Sequence, residues 1–590
     1  MSLMRKEFRS LISLEEAQSI VQSRLPHMAM VSVPLPEARG RILAEKVVSS
    51  LDVPGFSRAS MDGFAVRAED TLAAREDRPV CLHLAGTVPM GVLAQLLVAQ
   101  GEAAEVSTGS MMPDGADAVV MIEYIQAEVD RVLIRRPVFS SENVQAAGSD
   151  ISFGEAVLFP GCRLAAREMG VLAALGRTDV TVRSLLVGVA STGNELVPPG
   201  GALAAGQIYD INSYTIAAAV ADCGALAIPY GILPDNKESM AAMLLKMARE
   251  CDMIMVSGST SAGAGDMIFQ VIEEEGELIF HGVNLKPGKP TIFGLINNKP
   301  CLGLPGYPTS ALTVFSCLAA PAIRAALGQK NLGKRVTGRL AGPLRLEGRR
   351  QMLAVGLSGE LVYPVDKGSG SITTLAGADG VINIPSGVEY LEKGEKVEVE
   401  LFSEVEAADL VVAGENSILL EQLAERVPWR LVLLNSGSLQ ARLYLEDGVA
   451  DLACVSGEAA VEGMSLIWGF KRELGLVFRD ADILSDLSDR RIVGWHRDSV
   501  MQAAFKRHLL ALGLTQPRYV RVARTHSAVA AAVASGRAEV GFAERRAAAQ
   551  AGLGFKPLGH DEIRLLVRQE NVGDARLKSL VFALSQAEGA

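Results

Sequence analysis

Cysteine is scarce in this chain: seven residues in 590, at positions 81, 162, 223, 251, 301, 317 and 454, with no C-x-x-C pair. That spacing speaks against a zinc or iron–sulfur centre, the odd number speaks against a disulfide framework, and a reducing cytoplasm fits best. Scattered cysteines of this kind read as small buried hydrophobes. Excess basic charge is also missing: 57 Lys and Arg stand against 68 Asp and Glu, a net charge of −11, and no run of five basic residues occurs. No nucleic-acid partner is expected, because such binders neutralise phosphates with a basic patch or stripe. No stretch approaches about 18 uninterrupted apolar residues, and the opening MSLMRKEFRSLISLEEAQ carries charges that break a signal-peptide core. Neither a membrane span nor a leader is expected.

Apolar residues make up 49% and charged residues 21% of the chain, which excludes general disorder and a collagen-like repeat. Aromatics are only 5%, so the apolar share is mostly Ala, Leu and Val, the composition of helices packed on aliphatic sheets. At roughly 150 residues per domain the length predicts about four domains, and the fold class expected is multidomain α/β.

Residues near 12–25 have helical spacing (Ile12, Ala17, Ile20, Val21), with Ser13 and Glu16 as a capping box. From about Val53 to Val138, Gly and Pro punctuate short apolar runs such as Val80–Leu84 and Val119–Ile122, the mark of a small β-rich insert. Beyond Arg183 the texture becomes apolar strand, small-residue loop, helix: LLVGVA then STGNEL, MIMVSG then STSAGAGD, PCLGLPG then YPTSALTVF. Repeats of this kind imply parallel crossovers and a doubly wound sheet. From Val336 to Phe402 short strands with turn signals return, as in EKVEVELF, and predict a small all-β module. After a polar, acidic stretch near Ser403–Ala408, a second α/β region begins DLVVAG, continues through a helix at Leu419–Val427 and reaches RLVLLNSGS.

In an open parallel sheet, ligands bind beyond the carboxyl ends of the strands. Three loops are placed there. Ser191, Thr192, Gly193, Asn194 and Glu195 offer hydroxyls, backbone N–H groups and a carboxylate. Ser257, Gly258, Ser259, Thr260, Ser261, Ala262 and Gly263, followed by Gly265 and Asp266, let a backbone approach a phosphate closely at a helix N-terminus. Leu304, Pro305, Gly306, Tyr307, Pro308, Thr309 and Ser310 form a third strand-to-helix turn. No Gly-Lys-Ser/Thr closes the glycine stretch, so it is not a Walker loop, and each loop alone also reads as a tight βα turn. Lys286 and Lys289, in KPGKP, supply ammonium groups for an anionic ligand. Asp210 precedes a helix and reads either as its cap or, with Glu195 and Asp266, as part of a hard-oxygen site for Mg²⁺ beside phosphates. The insert adds Asp62 in a turn, with Thr108, Ser110 and a polar loop ending at Glu123. The residues define a phosphate-bearing small-molecule site without defining its reaction.

Taken in order, SRASMDGFAV, STGSMMPDGADAVVMIE, GSDI, STGNEL, GQIYDINSY, SGSTSAGAGD, KPGKP and LPGYPTSA resemble the molybdopterin molybdenumtransferases, a family related to the C-terminal part of gephyrin. The resemblance covers about residues 8–405. It implies a helical and mixed N-terminal domain (8–52 with 140–180), the β-rich insert (53–139), a doubly wound molybdopterin-binding α/β domain (181–327) and a small β-barrel (328–405). It further implies a cytoplasmic homodimer, with molybdopterin adenylyltransferase as a partner enzyme. The activity implied is insertion of molybdate into adenylylated molybdopterin with release of AMP, assisted by Mg²⁺. Carried over motif by motif, Asp62 becomes a catalytic or molybdate-site residue with Thr108 and Ser110 nearby. Glu195, Asp210 and Asp266 position Mg²⁺ and the adenylate phosphate, Lys286 and Lys289 hold a phosphate or oxyanion, Pro305 and Pro308 shape the molybdate pocket, and Arg349 of the barrel faces the cleft that the resemblance implies between the α/β domain of one subunit and the insert or barrel of the other.

This chain departs from the family at Ser259 and Ala262, at Gly282 where a basic side chain is common, and at Tyr307 where Asn is common; His281 reads as a structural histidine at a strand start. Molybdenum and tungsten are not distinguished, since their oxyanions share shape and charge. Residues 408–590 resemble the type 2 periplasmic-binding-protein fold, as in molybdate-binding proteins and LysR-type effector domains. Such domains hold anions at helix N-termini, making Ser417, Ser438 and Ser499 candidate contacts, although Asp498 would repel an oxyanion. Two alternatives stay open: a non-catalytic molybdate or pterin sensor working through this last domain, and a molybdopterin adenylyltransferase, against which the insert and barrel argue.

Overall fold

The computed structural model describes residues 11–25, 28–258, 267–329, 334–365, 371–402, 408–457, 463–496 and 499–588. It divides into two compact units, Met1–Val283 with Gly288–Leu332, and Asn284–Pro287 with Gly333–Ala590. The acidic stretch at 403–407 lies outside the described residues.

In the first unit, helix Leu14–Arg24 starts at Ser13, whose hydroxyl accepts the Glu16 N–H at 3.1 Å. Its stripe of Leu14, Ala17 and Val21 is buried and packs on a helical stretch that runs from Pro308–Val314 through a π-helical turn, Phe315–Ala319, into Ala320–Ala326. Pro321 has no N–H to give to the Cys317 carbonyl one turn back; Gln18 Nε2 donates to that carbonyl instead, at 2.8 Å. By length and apolarity alone Pro308–Ala326 passes as a membrane-crossing helix, yet 72% of its apolar window is buried inside the fold. The core accounts for that apolarity.

Ala29–Pro34, Asp179–Ser184 and Ile42–Leu43 form a three-stranded sheet, so chain segments before and after the insert pair with each other. The insert is a six-stranded sheet in the order Ala118–Met121, Gly63–Val66, Glu102–Val106, Val80–Val88, Arg131–Ile134, Ile125–Ala127. Its apolar face buries Phe64, Val66, Leu82, Val120, Val132 and Ile134.

The α/β sheet runs Leu226–Leu233, Leu186–Thr192, Met253–Ser257, Lys299–Leu304, Ile292–Ile296, Gly276–His281. The first four strands are parallel, and Met253–Ser257 is buried along its whole length, as a strand covered on both faces must be. The last two are antiparallel additions, which the strand–loop–helix rhythm does not announce. From Leu186–Thr192 the chain crosses through helix Asn212–Asp222 to the edge strand, then returns through Lys237–Glu250 to the other side of its starting strand. That reversal opens a crevice at the carboxyl ends of Leu186–Thr192 and Met253–Ser257.

The second unit opens with a closed five-stranded barrel, Arg335–Leu340, Leu361–Pro364, Gln351–Ser358, Gly380–Ile384 and Lys396–Leu401, filled by Leu340, Val355, Val362, Ile382 and Val399. The segment Asn284–Pro287 joins it: Lys286 N donates to Arg350 O and Met352 N donates to Lys286 O. An eight-stranded sheet follows, in which two 15-residue antiparallel strands, Met464–Phe478 and Gly554–Arg568, run side by side through its middle. Separate cores flank them, one built on Leu410, Leu423, Leu452 and Leu580, the other on Phe505, Phe542, Trp495 and Val529. These are two lobes sharing a pair of strands. Ala341 and Tyr363 of the barrel share a third, small core with Val449, Tyr363 lies 5.8 Å from Tyr444 ring to ring, and Lys393 pairs with Asp447. Burial there pushes the Tyr363 hydroxyl up to about 12, with Asp379 and Tyr444 adding to the rise.

Candidate active site

Ser191 and Ser257 stand opposite each other in register on adjacent parallel strands, both 1% exposed. Ser191 Oγ donates to Asp210 Oδ1 at 2.7 Å, Ser213 N donates to the same oxygen at 3.2 Å, and Ser213 Oγ donates to Oδ2. Asp210 therefore caps the helix beginning at Asn212, as one sequence reading expects, and also ties it to the neighbouring strand. Ser257 Oγ donates to Pro305 O at 3.0 Å and accepts from Asn212 Nδ2 at 2.7 Å; Asn212 Nδ2 also donates to Gly306 O at 2.7 Å. A flipped amide would set its oxygen against the Gly306 carbonyl, so this orientation is fixed. Asn212 Oδ1, buried, has no hydrogen-bond partner. Ser257 opens the second loop expected from the sequence; Asn212 and Ser213 are given no role there, and the Asn212 partner Gly306 lies 94 residues away, so no local spacing marks it.

Gly258 shows why this edge needs small residues. Its φ is +108°, and a Cβ would sit 2.4 Å from the Thr192 carbonyl oxygen. The first and second loops touch backbone to backbone there, and the third joins them through Pro305 and Gly306. Thr192 and Ser310 are buried, Gly193 has φ +149°, Glu195 is exposed, and Pro308 occupies the first turn of its helix. Ser259, Thr260, Ser261, Ala262, Gly263 and Asp266 lie outside the described residues.

The insert holds a second group. Asp62, exposed, accepts the Thr108 N–H at 2.6 Å, and this bond, followed by one from the Thr108 hydroxyl, holds its carboxyl below the usual aspartate range. Ser110 is fully buried, and its Oγ accepts the Ser107 N–H. In the second unit Lys286 pairs with Glu347 at 2.7 Å; the bond and charge of Lys286, with a contribution from Arg349, lower the Glu347 carboxyl. Arg349 and Lys289 are exposed. His281 stacks on Phe269 at 4.7 Å, and Gly282 has φ +109°, a conformation that resists the basic side chain common at that position.

Among the described residues no group of three His, Cys, Asp or Glu is gathered closely enough to hold a metal. The donor chemistry nevertheless suits Mg²⁺. Three hydrogen bonds occupy Asp210, leaving about one of its four lone-pair sites open, and Asn212 Oδ1, two residues along the chain, is a buried hard oxygen without a hydrogen-bond partner.

In the C-terminal domain all three candidate serines lie at helix starts. Ser417 Oγ accepts the Leu419 N–H and Ser499 Oγ accepts the Gln502 N–H, each as an N-cap. Ser438 donates to Glu415 through both its N–H and its hydroxyl. Asp498 lies outside the described residues.

Comparison with known proteins assigns these parts. Residues 12–176 match a family model described as MoeA N-terminal region (domain I and II), 188–325 one described as "Probable molybdopterin binding domain", 337–402 the MoeA C-terminal region (domain IV), and 420–585 a PBP superfamily domain. Molybdopterin molybdenumtransferase 2 of Mycobacterium tuberculosis is 33% identical over 402 residues, 66% of this chain and 98% of the relative. A molybdopterin molybdenumtransferase of Nostoc is 34% identical over 381 residues, 62% of this chain and 87% of the relative. The crystal structure of a molybdopterin biosynthesis MoeA protein from Pyrococcus horikoshii matches with TM-score 0.59 and 42% identity, covering 67% of this chain and all of that one. The chain belongs to the molybdopterin molybdenumtransferase family, with a PBP superfamily domain following the transferase portion.

Proposed function

We propose that this protein is a transferase of molybdenum cofactor biosynthesis that inserts molybdate into adenylylated molybdopterin and releases AMP. The observation that carries the reading is the meeting, at the sheet's switch point, of Ser191, Asp210, Asn212 and Ser257 with the close-packed backbone of Gly258 and Gly306. Small residues and hydroxyls at a helix-flanked crevice suit a phosphate. In this assignment Ser191, Thr192, Gly193, Gly258 and Gly306 bind the adenylate phosphate region together with Ser259, Thr260, Ser261 and Gly263. Pro305, Pro308 and Ser310 bound the molybdate pocket, Lys286, Lys289 and Arg349 offset the anionic charge of the substrates, and Asp62, with Thr108 and Ser110, contributes from the insert.

Glu195, Asp210 and Asp266 would hold Mg²⁺, which when bound neutralises charge at the phosphoanhydride. The residues themselves act by positioning: the Ser191 and Ser213 hydroxyls fix the Asp210 carboxylate, so its remaining lone pair has one direction. Assembly as a cytoplasmic homodimer, served by a molybdopterin adenylyltransferase, belongs to the same proposal.

Purified protein given Mg²⁺, molybdate and adenylylated molybdopterin is expected to release AMP, and chelation of the metal to stop it; AMP release unchanged by EDTA would remove Mg²⁺ from the reading. The insert is tested separately. Asp62→Ala is expected to lower the rate by about 10- to 100-fold, and Asp62→Asn, which can still accept the Thr108 N–H, to be nearly as slow. Full activity in the Asn variant would reduce Asp62 to a tether for its loop.

A further inference from the structure

The net charge of −11 is spread unevenly. From Ser499 to Ala538, forty residues of the lobe built on Phe505 and Val529, the sequence holds no Asp or Glu, against Lys506, Arg507, Arg518, Arg521, Arg524 and Arg537. With Asp and Glu at 68 of 590 residues, about four or five would be expected there. An ordinary solvated face mixes the two signs. All six cations are exposed, and none of their side chains has an ion-pair or hydrogen-bond partner. Arg490, Arg491 and Arg545 of the same lobe are, by contrast, each held by a glutamate.

Five of the six cluster about one strand. Tyr519–Ala523 is the last strand of the eight-stranded sheet and is paired on one side only, with Ile492–Trp495. Arg521 lies within it, and Arg518 and Arg524 flank it. Helix Val500–Ala511, which carries Lys506 and Arg507, packs on its start, Phe505 lying 6.4 Å from Tyr519 ring to ring. Between the arginines, Val520 and Val522 are 38% and 65% exposed. The open edge is thus a short apolar stretch set in positive charge.

A second copy of this chain does not suit it. Antiparallel pairing of two such strands about Arg521 sets Arg521 against itself and Arg518 against Arg524, and like charges directly opposite are destabilising. The irregular register opposite Ile492 and Val493 also interrupts an even ladder. The sheet's other open edge, Leu431–Leu434, follows Arg430 and carries no carboxylate. Nucleic acid does not suit it either. A phosphate backbone offers nothing to the valines, and Phe505 and Tyr519 pack into the lobe's core, where no base can stack on them. Arginines that only guarded the edge against aggregation would be confined to the strand, whereas Lys506 and Arg507 lie on the helix.

A polypeptide with carboxylates between apolar residues matches both the charge and the valines. We propose that this edge docks an acidic segment of another protein, with its Asp and Glu side chains on Arg518, Arg521, Arg524, Lys506 and Arg507 and its apolar side chains on the two valines. The planar fork of arginine takes a carboxylate through two bonds. In a chain that is acidic elsewhere, the patch also directs an acidic partner to one place.

Fluorescence anisotropy of the full chain with a labelled peptide of six Glu-Val repeats tests this, beside a Gln-Val peptide of equal length and a single-stranded oligothymidylate of equal charge. The Glu-Val peptide is expected to bind, more weakly as salt is raised, and at least about tenfold more tightly than either control. Arg521→Glu combined with Arg524→Glu is expected to weaken it at least about tenfold, and Val522→Asp to weaken it as well; all three positions are exposed, so an unchanged unfolding transition should accompany the loss. Absence of binding, equal binding of either control, or binding unchanged in both variants overturns the proposal. Self-association of the parent chain that the double variant abolishes overturns it too, because a second copy is then the occupant.

Discussion

Asp210→Asn is expected to reduce AMP release about a hundredfold in kcat/KM, equivalent to about 2.7 kcal/mol of transition-state stabilisation, without unfolding the protein. Asp210 is 4% exposed, and its carboxylate is fixed by Ser191, Ser213 N and Ser213 Oγ. An asparagine oxygen can still accept from Ser191 and the Ser213 amide, so the cap and the strand tie survive, while the negative charge is lost. Asp210→Ala removes both. Loss of the cap alone costs about 1 kcal/mol, and buried donors left unpaired cost roughly 1–3 kcal/mol more, so this variant should also unfold at lower denaturant. Activity within threefold of the parent for Asp210→Asn would make the carboxylate a structural anchor and nothing else.

The second large effect is expected in the C-terminal domain. Arg472→Met leaves buried Glu544 and half-buried Asp561 without their guanidinium, and breaking a buried ion pair from one side costs about 3–5 kcal/mol. For a domain of this size that corresponds to a fall of roughly 10 °C in its unfolding transition. Scanning calorimetry of the full chain should show the shift, and Arg472→Met combined with Asp561→Leu should recover part of it, since one unpaired carboxylate is then gone. A fall below 2 °C in the single variant would mean that the guanidinium is not what offsets those carboxylates.

Much of the transferase portion was legible because its signals are local. An apolar run ending in Ser191-Thr192-Gly193 or Ser257-Gly258 can only be a buried strand leaving the sheet through a tight turn, and turns at that edge sit beside ligands. Ser13 with Glu16, and the all-β texture after Val336, are equally short-range. The antiparallel pair Gly276–His281 and Ile292–Ile296 was not legible: Ile292–Ile296, buried along its whole length, has the same pattern in either direction, and Gly276–His281 is an edge strand that opens exposed. Nor was the role of Asn212, which depends on Gly306 far along the chain, or the bond by which Ser257, a member of the expected second loop, reaches Pro305. In the C-terminal domain, Ser417 and Ser438 do mark helix starts. What spacing alone does not carry is that Glu544, from the other lobe, and Glu415, 23 residues before Ser438, fill those starts.

The small core shared by Ala341, Tyr363 and Val449 also bears on descent. In a family member that ends after its barrel, the positions of Ala341 and Tyr363 have no Val449 or Tyr444 to meet and face water, where a polar residue is tolerated and an apolar patch invites association. Apolar residues at both positions are therefore a signature by which ancestral chains that had already acquired the extra domain can be told from those that had not.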